Sequence, residues 1–145
     1  MHEQQRDPVP RQWTVGFQVP ADLDQLTMAH AIAETVLLVG GFALDEVTDL
    51  LLALDEVATA LVLAAVPGAR IDCAFTGGDG VLGARVTTVA RAPGSIDEDA
   101  FGWHVVATLT DALRTDYGDY DSACGGFPAT VEFGWIRRSR GSAVS

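Results

Sequence analysis

A long apolar pattern occupies the middle of the chain, from Leu44 to Pro67. Apolar residues recur there at helical spacing and also fill much of the remaining circumference, which predicts a helix buried on nearly all sides. Asp45 and Glu46 suit the positive end of a helix, and Pro67 stops it. We expect this helix to form the centre of the core. Its apolar positions are Val47, Leu50, Leu51, Leu54, Ala58, Leu61 and Ala65 on one side, with Leu52, Val57, Leu63 and Val66 around the rest.

Two carboxylates, Asp55 and Glu56, interrupt this apolar helix at positions where apolar residues would pack better. Two interpretations are open. The pair belongs to a solvated face of a helix of about six turns, or the segment from Glu56 to Ala60 is one half of a nucleotide site. On the first interpretation the solvated face also includes Thr48, Asp49 and Thr59.

The segment before this helix contains a strand and a second helix. Residues 13–19 alternate between apolar and polar side chains, which predicts a strand with one buried face that ends at Pro20. Asp22 is a candidate N-cap for a helix to about Val39, and Gly40-Gly41 breaks the chain after it. The apolar stripe expected on this helix consists of Leu23, Leu26, His30, Ala33, Val36 or Leu37, and Gly40.

The pattern in the second half of the chain predicts a hairpin, a helix and two further strands. The run Gly77-Gly78-Asp79-Gly80 is a hairpin signal, because glycine and aspartate tolerate a positive φ. The predicted elements are strands Arg70–Thr76 and Val81–Ala90, a helix from Asp97 to about Leu113, a short strand around Thr115–Tyr120 and a last strand Ala129–Ile136.

This order of elements predicts an α+β fold, a two-layer α/β sandwich with a mostly antiparallel sheet and three helices on one face. Residues 13–136 are expected to form one domain, between a loose N-terminal tail, 1–12, and a C-terminal tail, 137–145. The residues expected to share its core are Trp13, Phe17, Leu54, Leu61, Ile71, Phe75, Val106, Leu109, Val131 and Phe133.

The charge balance narrows the choice of partners. Nine basic residues, all of them arginine, face twenty acidic ones, and the net charge is −11. Such a surface repels nucleic acid and anionic lipid and favours a basic protein partner, although solubility alone is an equal explanation. No apolar run reaches membrane length and no leader pattern opens the chain, so we expect a cytoplasmic protein without a membrane partner.

The cysteine and histidine residues predict no metal site. Cys73 lies in an alternating strand pattern and is expected in the core, whereas Cys124 lies in a glycine-rich loop. Whether Cys124 is a redox switch or a bystander stays open. The three histidines show no ligand spacing, so a structural zinc is not expected.

Three segments together resemble a known family. They are Leu54–Thr59 (LDEVAT), Ala65–Ala69 (AVPGA) and Phe101–Val105 (FGWHV). The chain resembles the anti-sigma-factor branch of the GHKL (Bergerat-fold) ATPases, the RsbW-type serine kinases, and more narrowly the divergent actinobacterial anti-sigma F proteins. The element order agrees from residue 13 to residue 136.

The resemblance implies a stress-response regulator that holds an alternative sigma factor away from RNA polymerase. Release would come from an anti-anti-sigma factor with a STAS domain. A homodimer is expected on the same ground, and also because the apolar strand at residues 13–19 is expected at a sheet edge.

The resemblance also assigns site residues. In the family motif E-x-x-x-N, Glu56 matches the general base, but Ala60 stands where an asparagine holds Mg²⁺. No carboxylate stands at 90–94, where the family has an adenine-reading aspartate, and the following segment looks too short for a phosphate-binding lid. The positions that match nucleotide-binding residues are Thr59, Ala60, Gly94 and Gly102.

These departures predict a degenerate ATP site, a pseudo-kinase without catalysis, and no need for ATP or Mg²⁺ as cofactors. Two alternatives remain. One is an active ATP-dependent serine kinase in which Asp55 or Asp97 has taken over the metal. The other is a dimeric interaction module without a sigma partner.

Three acidic clusters at predicted helix starts are candidates for partner binding. Each is also explained by the ordinary preference of a helix start for negative charge. The clusters are Asp22 and Asp24, then Asp45, Glu46 and Asp49, then Asp97, Glu98 and Asp99.

Overall fold

The computed structural model describes residues 12–136. The predicted tails therefore lie outside the described residues, apart from Gln12. Three helices and five strands follow one another in the order that the sequence predicts. They are β1 (Trp13–Pro20), a short 3₁₀ turn (Leu23–Gln25), α1 (Leu26–Val39), α2 (Leu44–Ala64), β2 (Arg70–Gly78), β3 (Val81–Ala90), α3 (Phe101–Leu109), β4 (Ala112–Tyr117) and β5 (Phe127–Ile136).

The five strands form one antiparallel sheet in the order β1-β2-β3-β5-β4. The β1 strand is an edge strand, as predicted. A two-residue turn joins β2 to β3, and its residues Asp79 and Gly80 have φ angles of 56° and 80°. Positive φ at both positions matches the right-handed twist of the strands, which explains why the hairpin forms at this sequence.

The core lies between the inner face of the sheet and the helices. Leu54, Val57 and Leu61 on α2 are at most 2 % exposed, and Val131 on β5 is fully buried. All ten residues predicted for the core are either buried or packed against it. The predicted fold class, an α+β two-layer sandwich, is confirmed.

The prediction that the central helix is buried on nearly all sides was wrong. Leu52 is 43 % exposed and Leu63 is 61 % exposed. The α2 helix contacts α1, α3 and the sheet, but no layer covers its outer stripe. The apolar stripe predicted for α1 also differs from the buried face that the structure shows, because its first residue, Leu23, is 51 % exposed. The buried residues of α1 are Ala29, Ala33 and Leu37.

The third helix is shorter than predicted at both ends. It begins at Phe101, so the acidic run 97–99 precedes the helix and contributes nothing to its first turn. It ends at Leu109, because Thr110 is extended and Leu113 pairs with Phe133 in the sheet. The next strand is accordingly β4, at 112–117 rather than 115–120.

None of the helices between residues 12 and 136 combines the length and the apolar character needed to cross a bilayer.

Candidate functional site

The first turn of α3 lies directly against the middle of α2. A Cβ atom added to Gly102 would overlap Oε1 of Glu56. Ala100, the N-cap of α3, offers no side-chain cap to the helix, and its carbonyl accepts the backbone N–H of Trp103 at 3.0 Å. The Glu56 carboxylate supplies negative charge at the positive end of α3, which is favourable. The structure thus brings together two residues that sequence reasoning assigned to one site.

Thr59 and Ala60 follow Glu56 by about one turn on α2, and both are half-buried. Ala60 packs against the core cluster. Its side chain is a methyl group, which has no lone pair for a metal ion. The position that the resemblance pairs with a metal-binding asparagine therefore contributes packing and no oxygen donor.

The segment between β3 and α3 is held close to the body of the domain. Ile96 is 4 % exposed, and its backbone N–H donates to the Tyr117 hydroxyl at 3.1 Å. The Ser95 hydroxyl donates to the carbonyl of Ala92 at 2.7 Å. Gly94 lies on the exposed outer side of this segment with a φ of +77°. Gly94 is thus part of a short anchored turn before α3, whereas Gly102, which lies against Glu56, belongs to the first turn of α3 itself.

Asp55 belongs to a different side of α2 from Glu56. Both of its carboxylate oxygens lie 3.0 Å from Nδ1 of His30 on α1. The two side chains are 40 % and 44 % exposed, and a cavity lined by Thr27, Thr59 and these two residues adjoins them. The sequence patterns do not predict this pair, because His30 and Asp55 lie in different helices. The available signal was a polar residue on an apolar stripe of each helix.

The two alternative metal ligands, Asp55 and Asp97, do not converge. Asp55 is engaged with His30, while Oδ1 of Asp97 accepts the backbone N–H of Asp99 at 3.0 Å. Among residues 12–136 no three histidine, cysteine or acidic side chains group in a way that could hold a metal ion.

The acidic residues at the helix starts take part in local capping. Asp22 accepts the N–H of Asp24 at 3.0 Å, Asp45 accepts the N–H of Glu46 at 2.9 Å, and Glu46 accepts the N–H of Ala43 at 2.7 Å. Helices α1 and α2 are consecutive and are joined by a short turn. Their starts therefore lie at opposite ends of the helix pair, about 20 Å apart along the 14 residues of α1. The clusters do not form one site.

The two cysteines have thiols that resist ionisation for different reasons. Burial, together with the charge of Asp72, raises the pKa of the Cys73 thiol to about 12. Cys124 is exposed, and its Sγ donates to Asp121 at 3.5 Å. That hydrogen bond and the carboxylate charge raise the pKa of Cys124 above its usual value. A raised pKa lowers the thiolate fraction on which reactivity depends.

Comparison with known proteins identifies the fold. No protein-family model matches the chain, and no curated protein does either. Among solved structures, the crystal structure of the RsbU and RsbW domains of Rv1364c from Mycobacterium tuberculosis matches with a TM-score of 0.58. The fold is RsbW-like.

The match covers 90 % of the present chain at 19 % sequence identity. The chain spans about a third of the length of that larger chain, 34 %. At this identity the RsbW-like similarity concerns the arrangement of the strands and helices.

Proposed function

We propose that this protein is an anti-sigma factor that sequesters an alternative sigma factor by protein binding and works without nucleotide. The RsbW-like fold, shared over 90 % of the chain, is the observation that carries the sigma-factor part of this proposal. The methyl group at Ala60 and the anchored segment before α3 support the nucleotide-independent part.

Two features of the described residues are unsuited to ATP with Mg²⁺. Ala60 offers no oxygen to the metal. The segment that would have to open as a lid is instead anchored through Ile96 and Tyr117. A nucleotide would have to open this anchored segment and would gain no metal ligand at position 60 in return.

The charge distribution supports a basic partner. Residues 12–69 contain eight acidic side chains and no arginine or lysine. The helices α1 and α2 thus carry acidic charges and no arginine or lysine, and the one described arginine beside them is Arg91, whose guanidinium donates to the Leu63 carbonyl at the end of α2. A sigma factor contacts the phosphate backbone of DNA and therefore carries basic surface. An acidic domain can cover such a surface and exclude the DNA. Of the three acidic clusters, the one at the start of α2, with Asp45 and Asp49, is adjacent to the solvent-facing stripe that carries Leu52.

The remaining parts of the proposal complete the regulatory scheme. The protein acts in the cytoplasm as a homodimer, takes part in a stress response, and is released from its sigma factor by an anti-anti-sigma partner with a STAS domain. These parts rest on the resemblance to RsbW-type anti-sigma factors.

Surface plasmon resonance against the alternative sigma factors of the native host tests the proposal. Salt and nucleotide are varied independently. We expect association to slow steeply with added salt, because steering between opposite charges is screened, and we expect ATP and ADP to leave binding unchanged. Asp49→Asn should slow association. Asp119→Asn, which removes the same charge from an exposed loop, should have a smaller effect.

Two outcomes would overturn the proposal. Binding that ADP strengthens by about tenfold, or about 1.4 kcal/mol, would show an active nucleotide site. No binding to any sigma factor of the host would leave an interaction module of another kind.

A further inference from the structure

One edge of the sheet is formed by β1, which pairs only with β2 among the described residues. Its eight residues, Trp13–Pro20, include no charged side chain. An edge strand directs about half of its backbone N–H and C=O groups away from its neighbour, where they can pair with another strand. The β1 edge therefore offers a row of hydrogen-bonding groups to a further strand.

The opposite edge of the sheet is built differently. It is formed by β4, which is six residues long and carries Arg114 and Asp116. Nε of Arg114 lies 3.0 Å from a carboxylate oxygen of Asp116. Short length and charged side chains are the usual protection of an edge against a foreign strand. The β4 edge has this protection, and the β1 edge does not.

An apolar groove of about 340 Å³ lies between β1 and α1. Val39 at the end of α1 is 82 % exposed, and Val15 on β1 is 38 % exposed. Alternate residues of a strand lie on the same face, so Val15 lies on the face whose buried member is Val19. A strand added beside β1 would direct alternate side chains into the groove. The groove is lined by Trp13, Val15, Thr35, Val36, Val39 and Gly40.

Acidic side chains lie near both ends of β1. At its first residue, a second groove continues the apolar one towards the β2–β3 hairpin, and Trp13, Val39 and Asp79 are among the residues that line it. At the other end, Asp22 and Asp24 follow the strand and begin the turn that leads to α1. A bound segment would therefore meet negative charge at each of its ends.

One arginine lies close to the second of these ends. Arg70 pairs with Pro20 and alternates with the buried residues of β2, so it lies on the face of the sheet away from the helices. Asp72 of the same strand lies on that face too and balances its charge. Asp22 and Asp24 lead into the helix layer instead. The helix side of the β1 edge is thus acidic at both ends, which favours a segment with basic ends.

We propose that the β1 edge and the groove beside it bind an extended segment of a partner protein, with apolar side chains at alternate positions and arginine or lysine at its ends. The backbone of the segment pairs with β1, and its apolar side chains enter the groove, as in other cases of β-strand addition. This inference goes beyond the proposed function and does not depend on it.

A second copy of the chain fits this edge poorly. In an antiparallel pairing of two β1 strands, the first residue of each strand lies near the last residue of the other. Asp79 of one copy would then approach Asp22 and Asp24 of the other, and like charges repel. The charges at the edge therefore favour a basic partner over self-pairing.

Fluorescence anisotropy with labelled synthetic peptides and the full chain tests the inference. The parent peptide is about ten residues long, the upper length of an ordinary strand, with alternating valine and threonine and with arginines at both ends. Two further peptides carry N-methyl groups on either the odd or the even central residues. Each lacks N–H donors along one edge only, because alternate N–H groups of a strand point to opposite sides. We expect the parent and just one methylated peptide to bind.

Two matched pairs of substitutions locate the bound peptide. Thr35→Arg places a cation in the groove, and Thr48→Arg is its control, because both threonines are exposed and donate to the carbonyl four residues earlier in a helix. Val39→Ser removes an exposed apolar side chain from the groove, and Leu63→Ser removes one from the outer stripe of α2. We expect the two groove variants to bind the parent peptide about five- to tenfold more weakly, and the two controls to bind it as the wild type does.

Four outcomes would overturn the inference. They are no binding of the parent peptide, equal binding of the two methylated peptides, equal binding of a peptide with glutamate in place of arginine, and unchanged binding in both groove variants. A wild-type dimer in sedimentation velocity that only Thr35→Arg dissociates would place a second copy on the edge and overturn it as well. Urea unfolding establishes that each variant is folded. Sigma-factor binding is measured separately, so the proposed function can hold or fail independently.

Discussion

The contact between Glu56 and Gly102 can be tested by combining substitutions at the two positions. Replacing a glycine in a helix by alanine ordinarily gains about 0.5 to 1 kcal/mol of stability. At Gly102 the added methyl group would overlap Oε1 of Glu56. The carboxylate end is flexible and can move away, so the expected cost is loss of its position at the start of α3, about 0.3 to 1 kcal/mol, and a poorer rotamer, about 0.5 to 1.5 kcal/mol.

The gain offsets only part of the cost in the wild type. We therefore expect Gly102→Ala to leave the free energy of unfolding unchanged or to lower it by up to about 2 kcal/mol. In the Glu56→Ala background nothing opposes the methyl group, and the same substitution should stabilise the protein by about 0.5 to 1 kcal/mol. The coupling between the two sites should then equal the cost that Glu56 imposes, about 1 to 2.5 kcal/mol, within the range seen for residues in contact.

Urea unfolding of the two single variants and the double variant measures this coupling. Glu56→Gln separates shape from charge, since the amide keeps the overlap and loses the interaction with the helix end. Glu34→Ala on the exposed side of α1 is the matched control and should be additive with Gly102→Ala. If Gly102→Ala has the same effect in wild type and in Glu56→Ala, within about 0.3 kcal/mol, the two residues do not touch and our account of the site is wrong.

Further predictions concern the core and the two thiols. Leu54→Ala, at a residue 2 % exposed, should cost about 2 to 5 kcal/mol in urea unfolding, whereas Leu63→Ala, at a residue 61 % exposed, should cost less than about 0.5 kcal/mol; equal losses would contradict the assigned faces of α2. Cys73 keeps its proton in the folded state above pH 9.0, while the unfolded chain releases it. The free energy of unfolding therefore keeps its full value below that pH and falls above it by about 1.4 kcal/mol per pH unit. Cys73→Ala should remove this loss in alkaline unfolding curves. Asp121→Asn should speed alkylation of Cys124 by iodoacetamide at neutral pH, and an unchanged rate would mean that the hydrogen bond does not hold the thiol protonated.

The elements that could be predicted from the sequence are those with strong local signals. The hairpin at Asp79-Gly80 follows from residues that accept a positive φ, and the strand before it from strict alternation. The centre of α2 follows from helical spacing around Leu54. In each case neighbouring residues in the sequence determine the structure, so one sequence is enough to find it.

The elements that could not be predicted depend on contacts between distant segments. Leu63 has the same apolar character as Leu61, and only the arrangement of layers leaves one exposed and the other buried. The acidic run 97–99 looks like a helix start, yet the helix begins at Phe101. The His30–Asp55 pair and the apolar groove beside β1 likewise arise from packing and strand order, which no local pattern specifies.

Transcription in vitro tests the central claim most directly. RNA polymerase core, the cognate alternative sigma factor and a promoter that it recognises are combined with increasing amounts of this protein, with ATP, with ADP, or with a non-hydrolysable analogue present during preincubation. We predict that transcripts fall with protein concentration in the same way under all three conditions, and that Glu56→Gln inhibits as the wild type does. Inhibition that depends on the nucleotide, or that is lost in Glu56→Gln, would contradict the account.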